Sequence, residues 1–184
     1  MGDGLSTAVA VVPRRIREQD WAGIVELESR AYTPLGLSED RTALESRVHA
    51  SPATCFVLER ERTVAGYLLA LPYPRFRSPG LGRPERTAFH SDNLHLHDLV
   101  VAERWRGQGL AGLLLARLLA VAREQRHSHL SLVAVAGTDA FWSRHGFRPH
   151  PEVAPPRHYG ARAVYMSRPV GDAPHGPTRH HEGN

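Results

Sequence analysis

The chain has 184 residues, 23% charged and 41% hydrophobic, which fits one soluble globular domain with a sizeable core. No apolar run is long enough to span a membrane, and the lone Cys55 excludes an intramolecular disulfide or a cysteine metal cluster. All 23 basic side chains are arginine, which excludes a Schiff-base lysine, a phosphate-loop lysine and modification on the chain's own lysines.

Only two isoleucines and two asparagines are present, which suggests a genome rich in G and C. The formal charge of +4 is spread along the chain with no basic patch interleaved by aromatics, so neither nucleic acid nor membrane is an expected partner. "MGDGLSTAVAVVPRR" has no basic leader ahead of its apolar run, and a cytoplasmic protein is the expectation.

In chain order, residues 8–16, "AVAVVPRRI", read as a first strand. A helix follows over "DWAGIVELESRAY", with Asp20 as its cap, Ile24, Leu27 and Ala31 at helical spacing, and Glu26 paired with Arg30. A second short helix is expected around Glu39–His49. "TCFVLER" and "TVAGYLLALPY" form a hairpin turning near Glu61. Residues 74–92 are rich in Pro, Gly and Arg without period, so they read as a long loop that is either functional or disordered. "NLHLHDLVV" is a strand, and a helix runs from about Leu110 to Arg126 with Leu110, Leu114, Leu118 and Val121 on its packed face. Residues 130–136, "LSLVAVA", are apolar almost throughout, as in a parallel strand buried on both faces. "TDAFWSRHGF" is a short helix, "GARAVYMSRPV" a last strand, and residues 171–184 an expected disordered tail. The order is mostly antiparallel strands followed by one β-α-β crossover, a single α/β domain over residues 8–169.

The stretch "VVAERWRGQGLAGLLL" places Gly107 and Gly109 between a strand and an apolar helix. A helix N-terminus carries unpaired N–H groups and about half a positive charge, and glycines just ahead of it let an anion touch the backbone. Arg104-x-x-Gly107-x-Gly109 therefore reads as a cradle for a pyrophosphate, with a plain strand-to-helix turn as the alternative. Gly107, Gly109 and Gly112 also satisfy G-x-G-x-x-G, but the motif lies late in the chain and the next acidic residue, Glu124, lies inside the helix, so a dinucleotide fold is set aside.

With "RWRGQG" at 104–109 and an aromatic pair before Gly-Phe in "FWSRHGF" at 141–147, the chain resembles the GNAT N-acetyltransferases. "LHLHDLVV" and "ELESRAYTPLGL" make it look most like bacterial relatives of the arylalkylamine (serotonin-type) enzymes. The resemblance implies a mixed, mostly antiparallel sheet of about six or seven strands, splayed at the centre and flanked by about four helices. It implies acetyl-CoA as co-substrate, no metal, a small-molecule primary amine as acceptor, and a monomer or homodimer. The pantetheine arm would pair with Leu99, Val100 and Val101. The pyrophosphate would lie on the N–H groups of Arg106, Gly107, Gln108, Gly109, Leu110 and Ala111, with Arg104 and Trp142 also at the cofactor.

His95 and His97, two apart on a strand, face the same side. Acylation of an amine needs a base, and a neutral imidazole suits that task near pH 7. The resemblance implies a proton relay through this pair; two core histidines or a metal pair are the alternatives. Trp142 stands where many of these enzymes carry a tyrosine that protonates the departing thiolate, which leaves Tyr159, Tyr165 or solvent for that role. Arg75, Arg77, Arg83 and Arg86 on the long loop would favour an acceptor with a carboxylate or phosphate if they faced the pocket, and otherwise are solvated. A non-catalytic acyl-CoA-binding module and an acetyltransferase of protein N-termini or lysines are the competing functions.

Overall fold

The computed structural model describes residues 11–171. Seven strands form one sheet in the order β1-β2-β3-β4-β5-β7-β6, and four helices cover its two faces. The strands are β1 (Arg14–Arg15), β2 (Phe56–Arg60), β3 (Thr63–Pro72), β4 (Asn93–Val101), β5 (His129–Ala134), β6 (Arg148–Pro149) and β7 (Val164–Pro169). The helices are α1 (Trp21–Tyr32), α2 (Arg41–Ala50), α3 (Leu110–Glu124) and α4 (Asp139–Arg144). All neighbours pair antiparallel except β4 and β5, which the crossover helix α3 makes parallel. The expected fold is the one observed. The first strand is shorter than expected, and part of its range, like the tail 172–184, lies outside the described residues.

Two apolar clusters explain the layering. Leu110, Leu114, Leu118 and Val121 of α3 pack on Phe56, Leu58, Leu94 and Leu96 of one sheet face. Trp21 and Ile24 of α1 and Leu44 of α2 pack on Tyr67, Leu69 and Val100 of the other. Asp20 sits at the start of α1, but its side chain does not cap that helix. It instead makes a two-pronged pair with Arg14 at 2.7 and 2.8 Å and accepts from the Arg17 N–H, tying β1 to the helix. Asp40 caps α2 by accepting from the Ala43 N–H at 2.8 Å. Glu26 and Arg30 pair on the exposed face of α1 as the spacing predicts.

On β4 the side chains change face part-way along. Before His97, Leu94 and Leu96 point to the α3 side; after it, Leu99 and Val101 do, and Val100 joins the α1 side. The ladder with β3 shows why: Asp98 pairs with Leu69 and Leu96 with Ala70, so His97 is an extra residue in a β-bulge. One inserted residue inverts the alternation downstream. His97 and Asp98, adjacent in sequence, consequently face the same side.

The β2–β3 turn has two residues, Glu61 and Arg62, both left-handed at φ 51° and 60°. This suits strand twist but strains non-glycine residues. Replacing the pair with Asn-Gly should stabilise the fold by about 1 kcal/mol, raising Tm by about 2–4 °C. Scanning calorimetry checks this, and an unchanged or lowered Tm contradicts it.

Candidate active site

β4 and β5 share only three register pairs, Asn93 with His129, Leu94 with Leu130 and His95 with Ser131. Beyond His95 the strands diverge, so the edge of β4 that would face β5 is bare from Leu96 to Val101. A cleft of about 620 Å³ opens there. Leu99, Val100 and Val101 form one wall; Gly107, Gly109, Leu110 and Ala111 close one end; Phe141 and Trp142 of α4 face them.

The turn into α3 is built from two left-handed glycines, Gly107 at φ 75° and Gly109 at φ 77°. A Cβ on either would meet nothing within 4 Å, so both border open space. The Arg106 N–H is taken by Glu103 O at 3.1 Å, and the first helical bond is Leu113 N–H to Gly109 O. The free N–H groups at this helix end therefore run from Gly107 to Gly112. Arg106 still lines the cleft through its side chain, whose Nε donates to Val101 O. Arg104 and Gln108 do not line it: Arg104 donates to Thr63 Oγ1, and Gln108 accepts from Arg60. Arg60 and Arg104 lie over the Trp105 ring at 4.1 and 5.3 Å, which fixes the turn from its outer side.

A smaller cavity of about 30 Å³ adjoins the cleft, lined by Glu28, Glu39, Asp98, Tyr159, Tyr32 and His97 among others. Tyr32 and His97 line both spaces, as do the apolar Val133 and Val135. His97 is the better placed of the two histidines. Its side chain is 1% exposed, its Nε2 lies 2.6 Å from Glu39 Oε2, and its Nδ1 is buried without a partner. Glu39 thereby sets the tautomer: Nε2 carries the hydrogen, and Nδ1 keeps a free lone pair. His95 lines neither space. Its Nδ1 meets Ser131 Oγ at 3.1 Å, and its ring stacks on Tyr165, with its centre 6.5 Å from that of His97.

Glu39 is the hub of a buried network. Its Oε1 accepts from Arg47 Nη2 and from the Gly82 N–H, both at 2.7 Å. Arg47, 0% exposed, also donates to Ala43 O and Gly80 O. Burial opposes the charge on Glu39, but the His97 bond and Arg47 outweigh it and hold the carboxyl below its ordinary range. Burial and then Arg47 push His97 down, against a partial rise from Glu39. Burial pushes His95 well down. Burial raises Glu28, and burial with Glu39 and Glu28 nearby pushes Asp98 up to about 8, with Tyr67 donating to its Oδ2 at 3.2 Å.

The long loop is stapled rather than loose. Arg47 and Glu39 hold its backbone at Gly80 and Gly82, Tyr159 Oη donates to Pro79 O, and the Glu85 N–H donates to Ser46 Oγ. Leu81 lines the small cavity. None of Arg75, Arg77, Arg83 and Arg86 does: Arg75 lies over the Phe76 ring, and Arg83 and Arg86 border a separate surface depression. The condition attached to those arginines is not met: none of them lines this cavity, whose wall carries Glu28, Glu39 and Asp98.

A family model for the acetyltransferase (GNAT) family matches residues 21–147, well over half of the chain. The chain belongs to the GNAT family. Solved structures of like fold include Ard1 from Thermoplasma volcanium (18% identity, TM-score 0.69, covering 89% of this chain and 100% of that one). The GNAT-like decarboxylase GphF, solved with isobutyryl-CoA, shares 22% identity and a TM-score of 0.68 over 86% of this chain and 99% of its own. N-acetylglutamate synthase from Neisseria gonorrhoeae, solved with coenzyme A and N-acetyl-glutamate, shares 18% identity and a TM-score of 0.67 over 89% of this chain and 36% of its own. No curated protein matches the sequence.

The GNAT domain fits an acyl-CoA in this cleft on its own geometry. The bare edge at Leu99 to Val101 offers backbone groups to an amide-bearing arm, and Gly107 to Gly112 offers N–H groups to a pyrophosphate at a helix N-terminus. Among the described residues no cluster of His, Cys, Asp or Glu has the arrangement of a metal site, and no helix is long and apolar enough to cross a membrane. Gly109→Val puts a branched side chain into the open space at a left-handed position. The affinity for coenzyme A should fall about tenfold or more, as charge-assisted hydrogen bonds are lost, while the melting transition stays cooperative. Calorimetric titration that finds unchanged affinity would remove the cradle from the site.

Proposed function

We propose that this GNAT protein transfers an acetyl group from acetyl-CoA to the primary amine of a small molecule. The observation that carries the reading is His97, buried at the junction of cleft and cavity with its Nδ1 unpartnered. Acetyl-CoA supplies an activated acyl carbon when bound. The chain's residues do the rest. The cavity behind His97 admits little more than a small head group, and Glu28 and Glu39 on its wall suit a cationic one. That favours an alkylammonium over a peptide segment, which would have to displace the stapled loop. His97 Nδ1 takes the proton as the amine attacks, with Glu39 steadying the imidazolium across Nε2. His95, the next imidazole along the strand, lines neither space and is pushed well down by burial, so it does not take the proton on. Backbone N–H groups at Leu99 to Val101 polarise the acyl oxygen.

A base must be neutral to act. His97 lies below its ordinary value, so it stays competent through neutral pH, and the acidic limb of kcat/KM should lie below pH 6.5. Glu39→Gln removes the group that raises His97, so the limb should move to still lower pH while kcat/KM falls. A limb displaced upward would show that Glu39 acts otherwise.

His97→Gln should lower kcat/KM about 10²- to 10⁴-fold with coenzyme A affinity nearly unchanged. His95→Gln should cost less and keep the profile. The assay is coenzyme A release with a panel of alkyl and arylalkyl amines beside N-terminal peptides. Turnover confined to peptides would move the acceptor class. Tight coenzyme A binding with no turnover on any acceptor would favour a binding module.

A further inference from the structure

Splitting a thioester leaves an electron pair on sulfur, and the walls where cleft and cavity meet are largely apolar. Val133 and Val135 line both spaces, with Leu96, Leu99 and Trp142 beside them. A thiolate there needs a donor. Indole offers an N–H that does not titrate, so Trp142 cannot supply a proton. Tyr159 already donates to Pro79 O at 2.7 Å and does not reach the wide cleft. Tyr165 lines neither space and accepts from the Phe76 N–H. Thr138 lines the cleft alone and donates to Val135 O. His97 is committed to the opposite task. Tyr32, at the C-terminal end of α1, is the one other polar side chain common to both spaces.

We propose that Tyr32 donates the proton to the leaving sulfur and that Asp98, on the wall of the same small cavity, refills it. The assignment rests on the acyl-transfer reading above. The bulge at His97 is what brings Asp98 to this face, beside Tyr32 and Tyr67. Tyr67 donates to Asp98 Oδ2, which leaves the other carboxyl oxygen free of that bond, and Tyr32 lines the same small cavity. Burial, Glu39 and Glu28 keep Asp98 largely protonated at neutral pH, so a proton is in place before turnover. Burial beside Asp98 raises Tyr32 well above an ordinary phenol, so phenolate does not accumulate and the two transfers run together.

The step balances. The nitrogen–carbon bond forms, the carbon–sulfur bond breaks, and its electron pair stays on sulfur. Sulfur takes the Tyr32 proton, and Tyr32 takes that of Asp98. The proton that His97 removed from nitrogen returns to Asp98, which lines the same cavity. From the neutral amine, one proton passes from nitrogen to thiol; an alkylammonium acceptor has no electron pair to attack with and gives up one further proton to solvent first.

The test reads the thiol of bound coenzyme A directly. The thiolate absorbance of the coenzyme A complex, less that of the desulfo-coenzyme A complex, is followed against pH. Tyr32→Phe should raise the midpoint by about one pH unit, the tenfold expected for one hydrogen bond to a charged group, and lower kcat about 10- to 100-fold. Its affinity for desulfo-coenzyme A should stay within about twofold, which shows fold and cradle intact. An unmoved midpoint overturns the assignment whatever the activity does. A raised midpoint in a protein whose wild type transfers nothing would keep the Tyr32–sulfur contact and remove the acyl-transfer reading instead. Should Tyr32→Phe lose desulfo-coenzyme A binding, Asp98→Asn serves: same size, no proton to give. It should lower kcat about tenfold at unchanged desulfo-coenzyme A affinity, and a wild-type kcat there overturns the proposal.

Discussion

Parallel strands β4 and β5 part after three register pairs, and the rest of the molecule is arranged around that parting. A bare strand edge carries backbone groups that need partners, so the gap cannot close on apolar side chains without cost. It stays open because α3 and α4 hold the two halves of the sheet from the same side, through Leu114 and Leu118 on one and Trp142 and Phe147 on the other. The helix end at Gly109 then points its free N–H groups into the same gap. What the gap offers an anion is main chain.

The opposite side of the sheet works by different physics. Arg47, Glu39 and His97 are buried charges and dipoles that satisfy one another and reach across from α2 to β4 and the long loop. Removing one member of such a set strands the others, a cost of about 3–5 kcal/mol for a buried ion pair. The arrangement is therefore stiff, and its stiffness fixes the lone pair on His97 Nδ1, which has no internal partner.

Much of this was legible in the sequence. β4 occupies the span its alternation predicts, Asn93–Val101, and α3 starts at Leu110, where the glycines stop. Periodicity and turn chemistry are local, and local signals survive in sequence. The bulge was not foreseen, although the adjacent polar residues His97 and Asp98 on an otherwise alternating strand are its trace. Assigning both histidines to one face was sound, but strand geometry could not say that only His97 reaches a cavity. The Arg47–Glu39 hub joins residues eight apart across a helix cap and then a strand 58 residues further on, which no spacing rule encodes. Asp20 was expected to cap α1, and tertiary pairing with Arg14 won over the local bond. The two-residue edge strand β6 is too short to leave a pattern.

The stapled loop has a consequence for how such a protein changes over time. Its roof over the small cavity hangs on side chains, chiefly Arg47, Glu39 and Tyr159, whereas the anion cradle at the turn into α3 is made of backbone N–H groups. Random substitution therefore falls unequally on the two. A cradle of backbone groups tolerates almost any replacement that keeps the glycines, while a single exchange on α2 can reshape the roof. Selection can thus reshape the small cavity without touching the turn into α3.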